Sequence, residues 1–204
     1  MNTSNLPKSV RALIADIKVT AKANGIDLYF GKGKSIRIEN KGKVGGYFCE
    51  EGALAVATGI PQYKWLEILI HESCHMDQWL ENSRYWNDEL DSDIHTFDRY
   101  ICGSNEPNIE RAVDNIVMME ADCERRAVAK IEQYNLPLNT KTYSKRANAY
   151  LLSHKAMVHY QSWYKVGPYK HRCTWVPLPD TLSVPSAYKI KNNKIDPTFF
   201  CKCF

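Results

Sequence analysis

The sequence predicts an α+β fold: a small, mostly antiparallel sheet packed on a buried helix, with further helices and an extended carboxy-terminal arm. Three observations carry this. Between residues 26 and 58, short apolar runs alternate with turns rich in Gly, Lys and Asn, the signature of short strands. Residues 62–81, 109–133 and 143–163 are long stretches without internal glycine or proline, as helices require. From Gly167 onward, Pro168, Pro177, Pro179, Pro185 and Pro197 alternate with Trp175, Phe199, Phe200 and Phe204, which reads as a chain wrapping a core. A length of 204 residues suits one domain. Residues 1–165 are expected to form it, with 166–204 as an arm packed on the same body.

The elements follow in order. Ser9 to Asn24 places Val10, Leu13, Ile14, Ile17 and Ala21 at helical spacing, and Gly25 is a natural stop. Strands are expected at 26–30, 35–39, 45–49 and 53–58, four in all and antiparallel, with turns at 31–34 and 40–43. Gly31-x-Gly33 is too short and too strand-bound for a phosphate loop. The helix over 62–81 follows Pro61, a favourable first-turn residue. Residues 82–108 are long for a connection. They suit a short helix near 91–101 and the wall or cover of a cleft. Helices over 109–133 and 143–163 complete the body.

The helix over 62–81 is apolar on nearly every side in its first half, and His71, Glu72 and His75 sit within it. Four helical residues advance about 400° and about 6 Å, so the two imidazoles share a face, one turn apart. Both rings can then reach one tetrahedral cation, while Glu72, about 100° round, can reach a water rather than the metal. With six His and twelve Glu in the chain, chance supplies about 0.01 such patterns per chain. Three polar side chains in an apolar helix also need a common partner.

On the 109–133 helix, the stripe of Ile109, Val113, Ile116, Ala127 and Ile131 continues onto Glu120 and Glu124, with Asp122 opposite. Buried carboxylates need compensation, and a metal supplies it. Glu120 is best placed as third ligand. Glu124 would accept the outer N–H of a ligand histidine or pair with Arg146. Glu124, Cys123 and His95 are the competing ligands. On the 143–163 helix, Tyr150, His154 and His159 are candidates for stabilising an oxyanion; Tyr150 and His154 are taken as catalytic together with Glu72. His171-x-Cys173 and Cys201-x-Cys203 suggest a second metal site, although one-residue spacing is tight for a shared ion.

Composition bounds the rest. Apolar residues make up 44% and charged residues 25%, as in ordinary globular proteins. No run approaches the ~18 apolar residues of a membrane span, so no membrane partner is expected. Seven cysteines without a signal-like amino terminus point to reduced thiols and a cytoplasmic location. Residues 1–48 carry nine Lys/Arg against three acids, whereas 83–124 carry three Arg against eleven acids. The basic ends admit a nucleic-acid partner, but a solvated surface pairing with the acidic middle explains them more simply.

His71-Glu72-x-x-His75, with Glu120-Ala121-Asp122-Cys123-Glu124 on a later helix, resembles the gluzincin branch of HExxH zinc metallopeptidases. The closest likeness is to the small zincins of phages and mobile elements. The resemblance covers residues 45–130. Gln78 and Glu81 stand where metzincins have Gly and a third His. It implies Zn2+ held by His71, His75 and Glu120, with Glu72 as general base. It further implies a peptide or protein substrate, and host cytoplasm as location for a phage-encoded chain. The strand 53–58 would pair with an extended substrate. The other reading is a non-catalytic zinc-stabilised binding module, its fourth ligand being Cys123, Cys74 or His95.

Overall fold

A computed structural model describes residues 4–38, 42–183, 200 and 202–204. The chain divides into two compact units, Met1–Glu81 with Arg126–Leu138, and Asn82–Arg125 with Asn139–Phe204.

In the first unit, helix α1 (Lys8–Ala23) buries Val10, Leu13, Ile14, Ile17 and Ala21, the stripe its spacing predicts. It ends at Gly25, whose φ of +70° is cheap only for glycine. Five strands follow: β1 (Asp27–Gly31), β2 (Ile36–Ile38), β3 (Gly42–Val44), β4 (Gly46–Cys49) and β5 (Ala53–Ala57). β3 lies where the sequence suggested only a turn. β2 and β3 form an antiparallel pair, and the other three form a sheet in the order β1-β5-β4. β4 runs antiparallel to β5, with Phe48 opposite Leu54. β1 instead runs parallel to β5, Asp27 opposite Ala53 through Gly31 opposite Ala57. Parallel strands need a long crossover, which β2 to β4 supply. β5 is therefore central, and Leu54 through Ala57 are buried.

Helix α2 (Gln62–Leu80) packs on β4 and β5 and buries Trp65, Leu66, Leu69, Ile70 and Met76. The approach is close at Gly46. A Cβ there would stand 2.5 Å from Ile68 Cγ2, 2.8 Å from the Ala55 carbonyl oxygen and 3.3 Å from Glu72 Cγ. The unit closes with the last turns of helix α4 (Ile109–Gln133). There Lys130 pairs with Asp77 at 2.7 Å and Arg126 with Glu81 at 2.7 Å. Just beyond, Tyr134 donates its hydroxyl hydrogen to Asp16 at 2.7 Å.

Burial, together with that hydrogen bond, pushes the Tyr134 phenol up to about 12. A group whose pKa is raised on folding stabilises the fold below its unfolded value, near 10. That contribution is lost as pH rises through the folded value. Stability should therefore fall between about pH 10 and 12, and Tyr134→Phe should flatten the fall in that window. Urea midpoints measured across it give the comparison.

The second unit contains helix α3 (Asp88–Ile101), the earlier part of α4, helix α5 (Thr140–Tyr160), a 3-10 turn at Pro168–Lys170 and helix α6 (Arg172–Trp175). α3 and α5 begin three residues before the positions expected from sequence because asparagines cap them. Asn87 Oδ1 accepts from Leu90 N at 3.2 Å, and Asn139 Oδ1 from Thr142 N at 2.8 Å. Leu90, Phe97, Ile101, Val113, Val117 and Met157 lie in one core cluster. Asp93 is fully buried but pairs with Arg111 at 3.0 Å and accepts from Asn115 at 2.7 Å.

The described residues of 166–204 belong to this unit. Asn148 of α5 donates to the Pro179 and Thr181 carbonyls at 3.0 and 2.9 Å, and Phe200 and Cys203 pack with Leu152 and Ala156. Pro185, Pro197, Phe199 and Cys201, expected in the arm, lie outside the described residues. Among the described residues, no helix is long and apolar enough to cross a membrane. None of the six described cysteines forms a disulfide with another of them.

Candidate functional site

In the first unit, α2 carries His71 and Glu72, both half-buried, and the buried His75. Helical spacing alone aims the two rings at one point. Their Nε2 atoms stand 3.1 Å apart, with ring planes at 90°. Two imidazole nitrogens sharing a tetrahedral zinc at about 2.0–2.1 Å would be separated by about 3.3 Å, so the pair fits such an ion.

His75 Nδ1 lies 2.9 Å from Gln78 Oε1, and Gln78 is fully buried. With Nδ1–H donating to that oxygen, Nε2 keeps its lone pair for a cation. Glu124 was the expected acceptor for a ligand histidine; for His75 the acceptor is Gln78. On the same helix, Lys130 Nζ donates to Ser73 Oγ at 2.8 Å as well as pairing with Asp77, which fixes α2 on either side of His75. For a divalent ion held by this pair, Gln78→Leu should weaken binding roughly 10- to 100-fold, and Gln78→Glu, which keeps an acceptor, should preserve it. Competition against a chelating dye measures both.

In the second unit, α4 buries Glu120 and Glu124, as its stripe predicts. Each carboxylate meets a phenol from α5. Tyr150 donates to Glu120 Oε1 at 3.0 Å, and Tyr143 to Glu124 Oε2 at 2.6 Å. Burial first, and then the Glu120 charge, push the Tyr150 phenol well above its ordinary range, so it stays protonated and donates. His154 is buried, and its Nδ1–H donates to the Tyr150 carbonyl at 3.2 Å. Its ring lies edge-on to Tyr150, with centroids 4.9 Å apart.

Asp122 pairs with Arg125 at 3.2 Å, off the buried stripe. Cys123 is fully buried one turn of α4 from Glu120. His95 and His159 are exposed, so neither has the burial expected of an enclosed ligand or oxyanion donor. His171, Cys173 and Cys203 form no metal-binding cluster among the described residues, and Cys201 lies outside them.

The expected pairing of a substrate with residues 53–58 is ruled out by topology. β5 is bonded on both sides, to β1 and to β4. Gln78 and Tyr143 were missed by sequence reasoning. Gln78 was accessible to it, being a polar residue three positions from His75 on the same buried helix. Tyr143 was not, because its partner is nineteen residues away on another helix.

The chain matches no protein-family model, no curated protein and no solved structure.

Proposed function

We propose that the protein is a zinc-dependent peptidase in which His71, His75 and Glu120 hold the metal and Glu72 is the general base. The observation that carries this is the His71–His75 pair, with Nε2 atoms 3.1 Å apart and Gln78 holding the outer nitrogen of His75. The carboxylate comes from α4, where Glu120 is buried and held by Tyr150. Cys123, buried on the same helix as Glu120, is the competing donor.

Zinc, when bound, supplies a Lewis acid that lowers the pKa of a water towards about 7 and polarises a carbonyl. The chain's own residues do the rest. Glu72 takes a proton from the attacking water and passes it to the leaving amine. Tyr150, kept protonated, spends its one hydrogen on Glu120 and so orients that carboxylate, while His154, whose Nδ1–H goes to the Tyr150 carbonyl, would donate to the developing oxyanion from Nε2 only as the imidazolium. The peptide would add along β4 instead of β5. Among the described strands, β4 pairs on one side only, and it runs beside α2, with Gly46 next to the Glu72 stem.

A second reading is a closed, structural zinc site in a binding module, favoured by the complete burial of Cys123. X-ray absorption on dialysed full-length protein separates the two. One zinc per chain with nitrogen and oxygen ligands only supports the peptidase. A sulfur ligand supports the structural module, and the absence of stoichiometric zinc defeats both.

A further inference from the structure

The second unit holds a cavity of about 150 Å³. Ile94 and Phe97 of α3, Ile116 and Met119 of α4, and Met157 of α5 form its apolar walls, and the half-exposed Trp163 stands at its edge. Glu120, Tyr150 and His154 also line it, together with Asp98 and Tyr164. An apolar cavity of this volume is the size that admits one benzene molecule. Water inside would find few partners along the aliphatic walls, so an apolar group displaces it favourably.

We propose that this cavity receives one uncharged side chain of the substrate, of phenylalanine or leucine size. The inference rests on the peptidase reading, because Glu120 is both a wall of the cavity and the proposed third ligand. The charge pattern narrows the occupant further. Among the described residues, no lysine or arginine lines the cavity, so an acidic side chain would find no counter-ion among them and would face Glu120 and Asp98. A lysine would have to shed its water among five aliphatic and aromatic walls, with Glu120 already bonded to Tyr150 and only the half-buried Asp98 to face it. An alanine would leave most of the volume unfilled and gain little apolar contact.

The test uses zinc-loaded full-length protein and peptides differing at one position only. Phe and Leu peptides should be cleaved with kcat/KM roughly 10- to 200-fold above the Ala peptide, and the Asp peptide should fall lower still. Ile94→Trp and Ile116→Phe each fill the cavity, the first from its rim. Either should reduce the preference at least tenfold without loss of zinc, with circular dichroism showing which variant folds. Benzene, followed by NMR shifts of the Met157 methyl, gives a readout independent of turnover. Binding to the wild type that the filled variants abolish supports a cavity that takes an apolar group; where no peptide is cleaved, the peptidase reading fails and the substrate side chain falls with it as the occupant. Equal cleavage of Phe and Ala peptides overturns the inference and leaves the peptidase standing. So does a preference that both fillings leave untouched, or the absence of benzene binding.

Discussion

Replacing Glu72 by glutamine should lower peptide hydrolysis by at least a hundredfold while leaving the zinc content and the thermal midpoint close to wild type. The substitution is nearly isosteric, so the contact between the Glu72 stem and β4 at Gly46 survives. Glutamine also keeps the volume and one acceptor oxygen of the half-buried side chain, so the fold should be little affected. What disappears is the ability to accept a proton from the attacking water, and general-base catalysis contributes about 10²–10⁴-fold. Initial rates, zinc content and melting curves on the same preparations give all three numbers. In a closed structural site, Glu72 has no proton to take, and the substitution would change nothing that these assays read. Retained turnover in Glu72→Gln would therefore remove the mechanism, whatever the metal content.

The parts of the fold that local chemistry specifies were legible in the sequence. α2 runs from Gln62 to Leu80, where Pro61 and an unbroken apolar stretch place it. α4 runs from Ile109 to Gln133, with Glu120 and Glu124 buried as the stripe requires. Strand pairing was less legible because it is settled between distant segments. Nothing within Asp27–Gly31 encodes that β1 lies parallel to β5. One sign was present in β5 itself. Ala53-Leu54-Ala55-Val56-Ala57 is apolar at every position, the pattern of a strand covered on both faces, which suits the central place that leaves β5 no free edge.

At the candidate site, spacing along one helix gave the two histidines and the glutamate beside them. The helix-to-helix partners, Tyr143 on Glu124 and Tyr150 on Glu120, depend on packing that periodicity does not describe. The cavity shows the same limit. α3 supplies Ile94, Phe97 and Asp98 to it, from a segment that suggested a short helix and a cleft wall or cover without showing which residues face a cavity.

The third ligand is decided by a pair of substitutions on α4. Glu120→Gln should weaken zinc binding by well over the roughly 10–100-fold that loss of an outer partner produces, and turnover should disappear with the metal. Glutamine is the informative choice because its amide oxygen still accepts the Tyr150 hydroxyl, now at 3.0 Å from Glu120. Alanine would leave that phenol without its Glu120 acceptor, at about 1–3 kcal/mol, and would mix a folding defect into the metal result. Metal-free stability should stay level or rise in Glu120→Gln, since a buried carboxylate is costly when no cation offsets it. Cys123→Ala, on the same helix and also buried, should keep both zinc and turnover. Dye competition for zinc and urea unfolding of the metal-free chains provide the comparison. The reverse pattern, with Cys123→Ala losing the metal and Glu120→Gln keeping it, would put sulfur in the coordination shell and leave the structural module as the surviving reading.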